Sequence, residues 1–175
     1  THKMSQTQVE RLFIKDRTSL SATMFRLTTD IDITGPANAT ITSNLEVHDA
    51  PAGFGALGTA MSQSSGLFTF PSTGIYLIQA HFSYSRRNTN SEYNGFRIIT
   101  TTDNNSSNTV ATLGYGYVPD LAGSFTSVTL SHIFDVTDTS THKVLFNYDV
   151  YDDVQLQGNT GNNRTFFMFI KLGDT

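Results

Sequence analysis

An all-β sandwich is the fold this sequence predicts, and three observations carry it. Thr, Ser, Asn and Gly supply a polar surface that the few charged residues (15%) cannot cover, and Thr suits a pleated, half-exposed strand better than a helix. Several segments alternate apolar and polar residues with period two. Clusters of Gly, Pro, Asn and Asp separate these segments at the spacing of short strands in a sandwich or barrel.

Taken in chain order, residues 1–22 read as an N-terminal arm or linker and residues 23–175 as the domain. Ser5 to Lys15 is the one stretch with helical spacing, Val9, Leu12 and Phe13 recurring behind a Ser5 cap. So short a helix is marginal alone, so docking on another surface is the expected use. In Gly74 to Ser85, Tyr76, Ile78, Ala80, Phe82 and Tyr84 form an apolar face against Gln79, His81, Ser83 and Ser85. Ser124 to Val136 repeats the pattern, with Val128, Leu130, Phe134 and Val136 opposite Ser127, Thr129, Ser131 and Asp135. A polar turn at Thr137 to Thr141 then predicts a hairpin to Val144, Phe146, Tyr148 and Val150.

The last strand, Thr165 to Leu172, is different. Phe166, Phe167, Met168, Phe169 and Ile170 are apolar on both faces, which only a strand covered on both sides tolerates. Ile75 and Leu77 add apolar side chains to the second face of the Gly74 strand. A sandwich with one partly apolar outer face predicts an oligomer.

Composition excludes several functions. With 175 residues the chain is long enough to bury a core without cross-links, and it has no Cys, hence no disulfide, thiolate metal site or cysteine nucleophile. A formal net charge of −4 argues against a phosphate-tracking nucleic-acid surface. No apolar run approaches the ~20 residues of a membrane-spanning helix, so membrane insertion is not expected. His2, His48, His81, His132 and His142 show no ligand spacing, and no G-x-S-x-G, P-loop or dinucleotide-binding fingerprint occurs. An enzyme is therefore not expected.

His132, between Leu130 and Phe134 on the apolar face, reads as a core histidine beside Phe146 or Tyr148 rather than as a ligand. Asp149, Asp152 and Asp153 form the calcium candidate, although a calcium ion takes about six to eight oxygens and the segment lacks EF-hand grammar, so a solvated loop is the better reading. The glycines of Gly53 to Gly58 and Gly114 to Gly116 read as bends or close backbone approaches. Sequons at Asn38, Asn104, Asn105 and Asn163 are what such an Asn-, Ser- and Thr-rich chain produces by chance. Loops carrying Tyr93, Tyr115 and Tyr117 offer stacking surface and hydrogen bonds suited to glycan or protein recognition, a composition that exposed turns explain equally well.

The run from Gly66 to Ile78, Gly-Leu-Phe-Thr-Phe-Pro-Ser-Thr-Gly-Ile-Tyr-Leu-Ile, resembles the G-x-F-x-x-P-x-x-G-x-Y strand pair of the C1q globular head and tumour necrosis factor superfamily. The closing segment Thr165 to Asp174 is similar to that family's last strand, and the likeness spans roughly residues 23 to 174. The resemblance implies a ten-stranded jelly roll closing as a homotrimer around its inner sheet. Carried over, Ile75, Leu77 and Gln79 with Phe166, Met168 and Ile170 would face neighbouring subunits, and Phe167 and Phe169 would enter the core. Some members of the family bind calcium near the trimer's top, which keeps the Asp149 cluster in view.

The chain departs from the family in three ways. Thr137 to Thr141 replaces a Gly-Asp turn, residues 1–22 hold no collagen-like triplets, and the cysteine common in animal complement-type members is missing. Two expectations follow. One is a homotrimeric virion structural protein of bacteriophage type, a head decoration, fibre or tail knob, attached to other virion proteins by its arm and projecting its head to a host-surface protein or glycan. The other is a secreted, extracellular C1q-like or cytokine-like ligand for a receptor or glycan.

Overall fold

The computed structural model describes residues 20–87 and 93–175, so the predicted helix of the arm lies outside the described residues. Among the described residues there are thirteen strands and no helix. They are β1 (Ala22–Leu27), β2 (Ile31–Ile33), β3 (Ala37–Thr40), β4 (Leu45–Val47), β5 (Ser62–Ser64), β6 (Leu67–Thr69) and β7 (Gly74–Arg86). Then come β8 (Asn94–Thr101), β9 (Thr109–Gly116), β10 (Phe125–Val136), β11 (Lys143–Val150), β12 (Val154–Leu156) and β13 (Phe166–Gly173).

Two antiparallel sheets form the sandwich. In the first, β7 pairs with β10 along one edge, from Gly74 opposite Val136 to Ser85 opposite Phe125. Along its other edge β7 takes β13 and then β12; β1 lies outside β13, β2 outside β12, and β4 outside β1. The second sheet runs β5, β6, β11, β8, β9, with β3 also on β11.

The expected ten strands are thus thirteen, because edge elements are split. β1 and β2 border β13 and β12 in line, and the joint is held where Asp30 Oδ1 accepts from Gly158 N at 2.7 Å and Leu27 O accepts from Asn159 N at 2.8 Å. β6 and β3 likewise share β11.

The expected hairpin from the Ser124 strand to the Val144 strand does not form. β10 belongs to the first sheet with β7, whereas β11 pairs with β8, β3 and β6 in the second. Period two defines an inward face without naming the strand's neighbour, and here the two inward faces meet across the core. The Gly66 to Ile78 motif crosses in the same way, β6 in one sheet and β7 in the other.

Phenylalanine fills the space between the sheets. Phe146 of β11 and Phe167 of β13 stack across it, 3.8 Å between centroids and 3° between planes. Phe82 stacks on Phe96 at 4.5 Å, again joining the two sheets. Phe68 is fully buried and meets Phe25 edge-on at 5.1 Å and Phe146 at 5.3 Å. Such pairs contribute about 0.5–1.5 kcal/mol each beyond the area they bury.

Candidate functional site

The first sheet turns one face inward and one outward. Inward, Tyr76, Ile78, Ala80, Phe82 and Tyr84 of β7 and Phe167 and Phe169 of β13 are buried. Period two then forces their neighbours outward, and the registers align them in rows across four strands. One row is wholly apolar: Ala22 (β1), Ile170 (β13), Leu77 (β7), Ile133 (β10). The next is Met24, Met168, Gln79, Ser131, and the third Arg26, Phe166, His81, Thr129. Ile75 lies beyond the first row, opposite Asp135.

This brings all six residues expected at a subunit contact, Ile75, Leu77, Gln79, Phe166, Met168 and Ile170, onto one outer surface, each half-buried in the single chain. Three apolar members were missed. Ala22 and Met24 stand on β1, and Ile133 on β10 is 61% exposed. Ile133 carried a signal, since it is the apolar residue in the otherwise polar row of Ser127, Thr129, Ser131 and Asp135. A cleft of about 380 Å³ opens beside Met24 and Met168, walled by His48, Ala56 and Leu57. Leu57 is itself held against β1 by two backbone hydrogen bonds with Ala22, of 2.9 and 3.0 Å.

Polarity grades along the face. At its polar end His81 lies flat on Phe166, and its Nδ1 is 2.7 Å from Thr129 Oγ1. Burial lowers its pKa below the ordinary histidine value. Arg26 is buried, its guanidinium taken by Glu46 at 2.7 Å, Asp49 at 3.0 Å and the Ala50 carbonyl at 2.6 Å. That cation therefore does not interrupt the surface as a free charge.

A second surface lies on the outer side of the other sheet. Tyr93 precedes β8, and Tyr115 is on β9 itself, not in a loop as expected. Their rings meet edge-on at 5.8 Å, and Tyr151, which the sequence did not single out, adds a third ring 5.7 Å from Tyr93. The Tyr151 N–H donates to the Tyr93 carbonyl at 3.2 Å, so the backbone fixes this pair. Tyr117 is exposed, and among the described residues no ring contact joins it to the cluster. Gly114 and Gly116 mark close approaches as expected: a Cβ on the first would press on Leu130, and one on the second would overlap the Tyr84 hydroxyl.

His132 faces inward and is tilted against Phe134 at 6.1 Å, with a pKa lowered by burial. Its cross-strand partner is Ile78, not Phe146 or Tyr148, because β10 pairs with β7.

The three carboxylates of the calcium candidate are not assembled into a ligand set. Asp149 is ion-paired with Arg97, Asp153 Oδ1 accepts from Gly35 N at 3.0 Å, and among the described residues no group of three His, Cys, Asp or Glu side chains is placed to hold a metal ion.

No family model and no curated protein matches the sequence. Solved structures do match the fold. Eiger TNF from S. frugiperda superposes with a TM-score of 0.63 at 13% identity, covering 90% of this chain and 95% of that one. Murine APRIL at pH 5.0 gives 0.62 at 12% identity over 87% of this chain and 99% of that one, and a second murine APRIL structure, at pH 8.5, gives 0.58 at 10%. The chain is a jelly-roll sandwich of the tumour necrosis factor type.

Proposed function

We propose that this protein is a binding module that works as a homotrimer, its subunits packed through the outer face of the β1, β13, β7 and β10 sheet. One observation carries the reading: the row Ala22, Ile170, Leu77, Ile133 is apolar from one side of the sheet to the other. Full burial of a large aliphatic side chain yields about 1.5–3 kcal/mol, and with Leu77 and Ile170 half-buried and Ile133 61% exposed the single chain leaves part of that gain unused. The trimer is the assembly that the C1q and tumour necrosis factor resemblance implies.

The activity is recognition, not catalysis. Of the two expectations, the solved structures, one named as a TNF, favour the ligand for a receptor or glycan. They lend no support to a virion head with an arm docked on other virion proteins. Of the arm expected over residues 1–22, Ala22 belongs to β1 of the sandwich, and residues 1–19 lie outside the described residues. Light scattering on the purified chain tests the assembly: a mass of three 19.2 kDa chains is expected, and a monodisperse monomer overturns it.

A further inference from the structure

We propose that the Tyr93, Tyr115 and Tyr151 platform is a binding site for a neutral saccharide; the proposal deepens the reading of the protein as a recognition module and assigns its ligand class. Three phenol rings in sequence, at 5.8 and 5.7 Å, leave a cleft of about 350 Å³ against Tyr93 and Tyr115. All three are between 41% and 59% exposed, so their faces and hydroxyls are open to a ligand. The Tyr93 and Tyr115 planes cross at 85°, forming a corner with one ring as floor and the other as wall.

A flat sugar ring suits such a corner. Its C–H face packs on one aromatic face while its hydroxyls reach phenol oxygens, the combination of apolar body and polar tip that makes tyrosine useful in recognition.

The sheet beneath supplies the polar border. Asn38, Asp149, Gly95 and Tyr115 form one cross-strand row, and Thr40, Asn147, Arg97 and Leu113 the next. Gly95 has no side chain to lift the Tyr115 ring, which lies within 3.0 Å of where a Cβ would stand. Charge decides between ligand classes. Nucleobases also stack on tyrosine, but their phosphates require cations along the track, and Arg97 beside the platform is already neutralised by Asp149. An anionic sugar would meet, among the described residues of these two rows, only Arg97, whose charge Asp149 already takes. Neutral hydroxyls facing an ion pair and amides can both donate and accept.

Saturation-transfer difference NMR tests this, with the methyl glycosides of glucose, galactose, mannose and N-acetylglucosamine and, separately, a proline-rich decapeptide as the competing aromatic-surface ligand. At least one glycoside should receive saturation at its ring C–H protons. Tyr93→Ala and Tyr115→Thr, the latter placing a residue of high strand preference in β9, should each cut the signal at least fivefold. Val110→Ser, on the same strand away from the platform, should leave it unchanged. Silence from all four glycosides, an undiminished signal in both tyrosine variants, or a response to the peptide alone would each overturn the assignment. The mass of each sample separates the two readings: glycoside binding by a monomer would refute the trimer and leave this site standing, while a trimer without binding would do the reverse.

Discussion

His81 and Phe166 stack with centroids 5.2 Å apart and planes 18° from parallel, on the outward face of the first sheet. An imidazole in that position is desolvated by its neighbour and held by Thr129, and neither partner offers a negative charge to an imidazolium. Facing groups give the same picture: Arg26 in the same row is cationic and saturated by Glu46 and Asp49, and the nearest carboxylate on β10's outward row, Asp135, stands opposite Ile75 at the other end.

Acid should therefore destabilise the fold in a defined window. Unfolded, His81 takes up its proton near the ordinary value of 6.5; folded, burial delays uptake to lower pH, and His132 behaves likewise. Between the folded and unfolded values the unfolded chain holds more protons, so stability rises with pH there and is complete above 6.5. Urea midpoints should fall as pH drops below 6.5, and the double variant His81→Gln, His132→Gln should flatten that fall. A second loss belongs to Asp103, held low first by the Ser107 N–H, and Asp138, held low first by the Ser140 hydroxyl; it begins only below 3.8. An unchanged slope in the double variant would show that neither imidazole is responsible.

Phe167 joins the sheets through its stack on Phe146. Phe167→Ala opens a cavity at the centre of the core and should cost about 3–5 kcal/mol in denaturant unfolding, whereas Phe167→Leu should cost much less. A loss under 1 kcal/mol for the alanine variant, of the order seen at surface sites, would mean the ring is not central.

Gly66 sits in a two-residue turn between β5 and β6, with φ of 50° at Ser65 and 78° at Gly66, the pattern of a type I′ hairpin. A Cβ on Gly66 would overlap the Ile41 carbonyl oxygen. Gly66→Ala should lose about 1–3 kcal/mol from steric overlap and backbone strain together. A neutral result in thermal or urea unfolding would contradict that geometry.

Met168→Asp places a carboxylate in the second row of the outward face, between Met24 and Gln79. In a packed assembly it must be desolvated or protonated, at a cost of several kcal/mol, and the variant should elute as a folded monomer. In the isolated chain Met168 is only half-buried, so the monomer's own stability should change little. A variant that remains assembled with native stability would place the interface elsewhere.

Much of this architecture was legible in the residues because period two reports burial directly. Tyr76 to Tyr84 are buried at every second position, and the doubly apolar closing strand does separate into Phe167 and Phe169 inside and Phe166, Met168 and Ile170 outside. The Gly66 to Tyr76 motif is structural throughout: Gly66 makes the turn, Phe68 fills the core, and the Tyr76 hydroxyl donates to the Ser72 carbonyl at 3.1 Å. What periodicity lacks is long-range pairing. It could not tell that β10 joins β7 instead of β11, which misplaced the neighbours of His132, nor that Tyr151 comes to rest beside Tyr93. Arg26 was invisible for a related reason, since its burial depends on Glu46 and Asp49, some twenty residues away.

Sedimentation equilibrium of the intact chain at neutral pH tests the central claim most directly. An apolar row from Ala22 to Ile133 predicts association, and the trimer proposed on the resemblance predicts a single species of three chains across the micromolar range. A single-chain mass at every concentration would contradict it, and would require that face to be covered within the monomer.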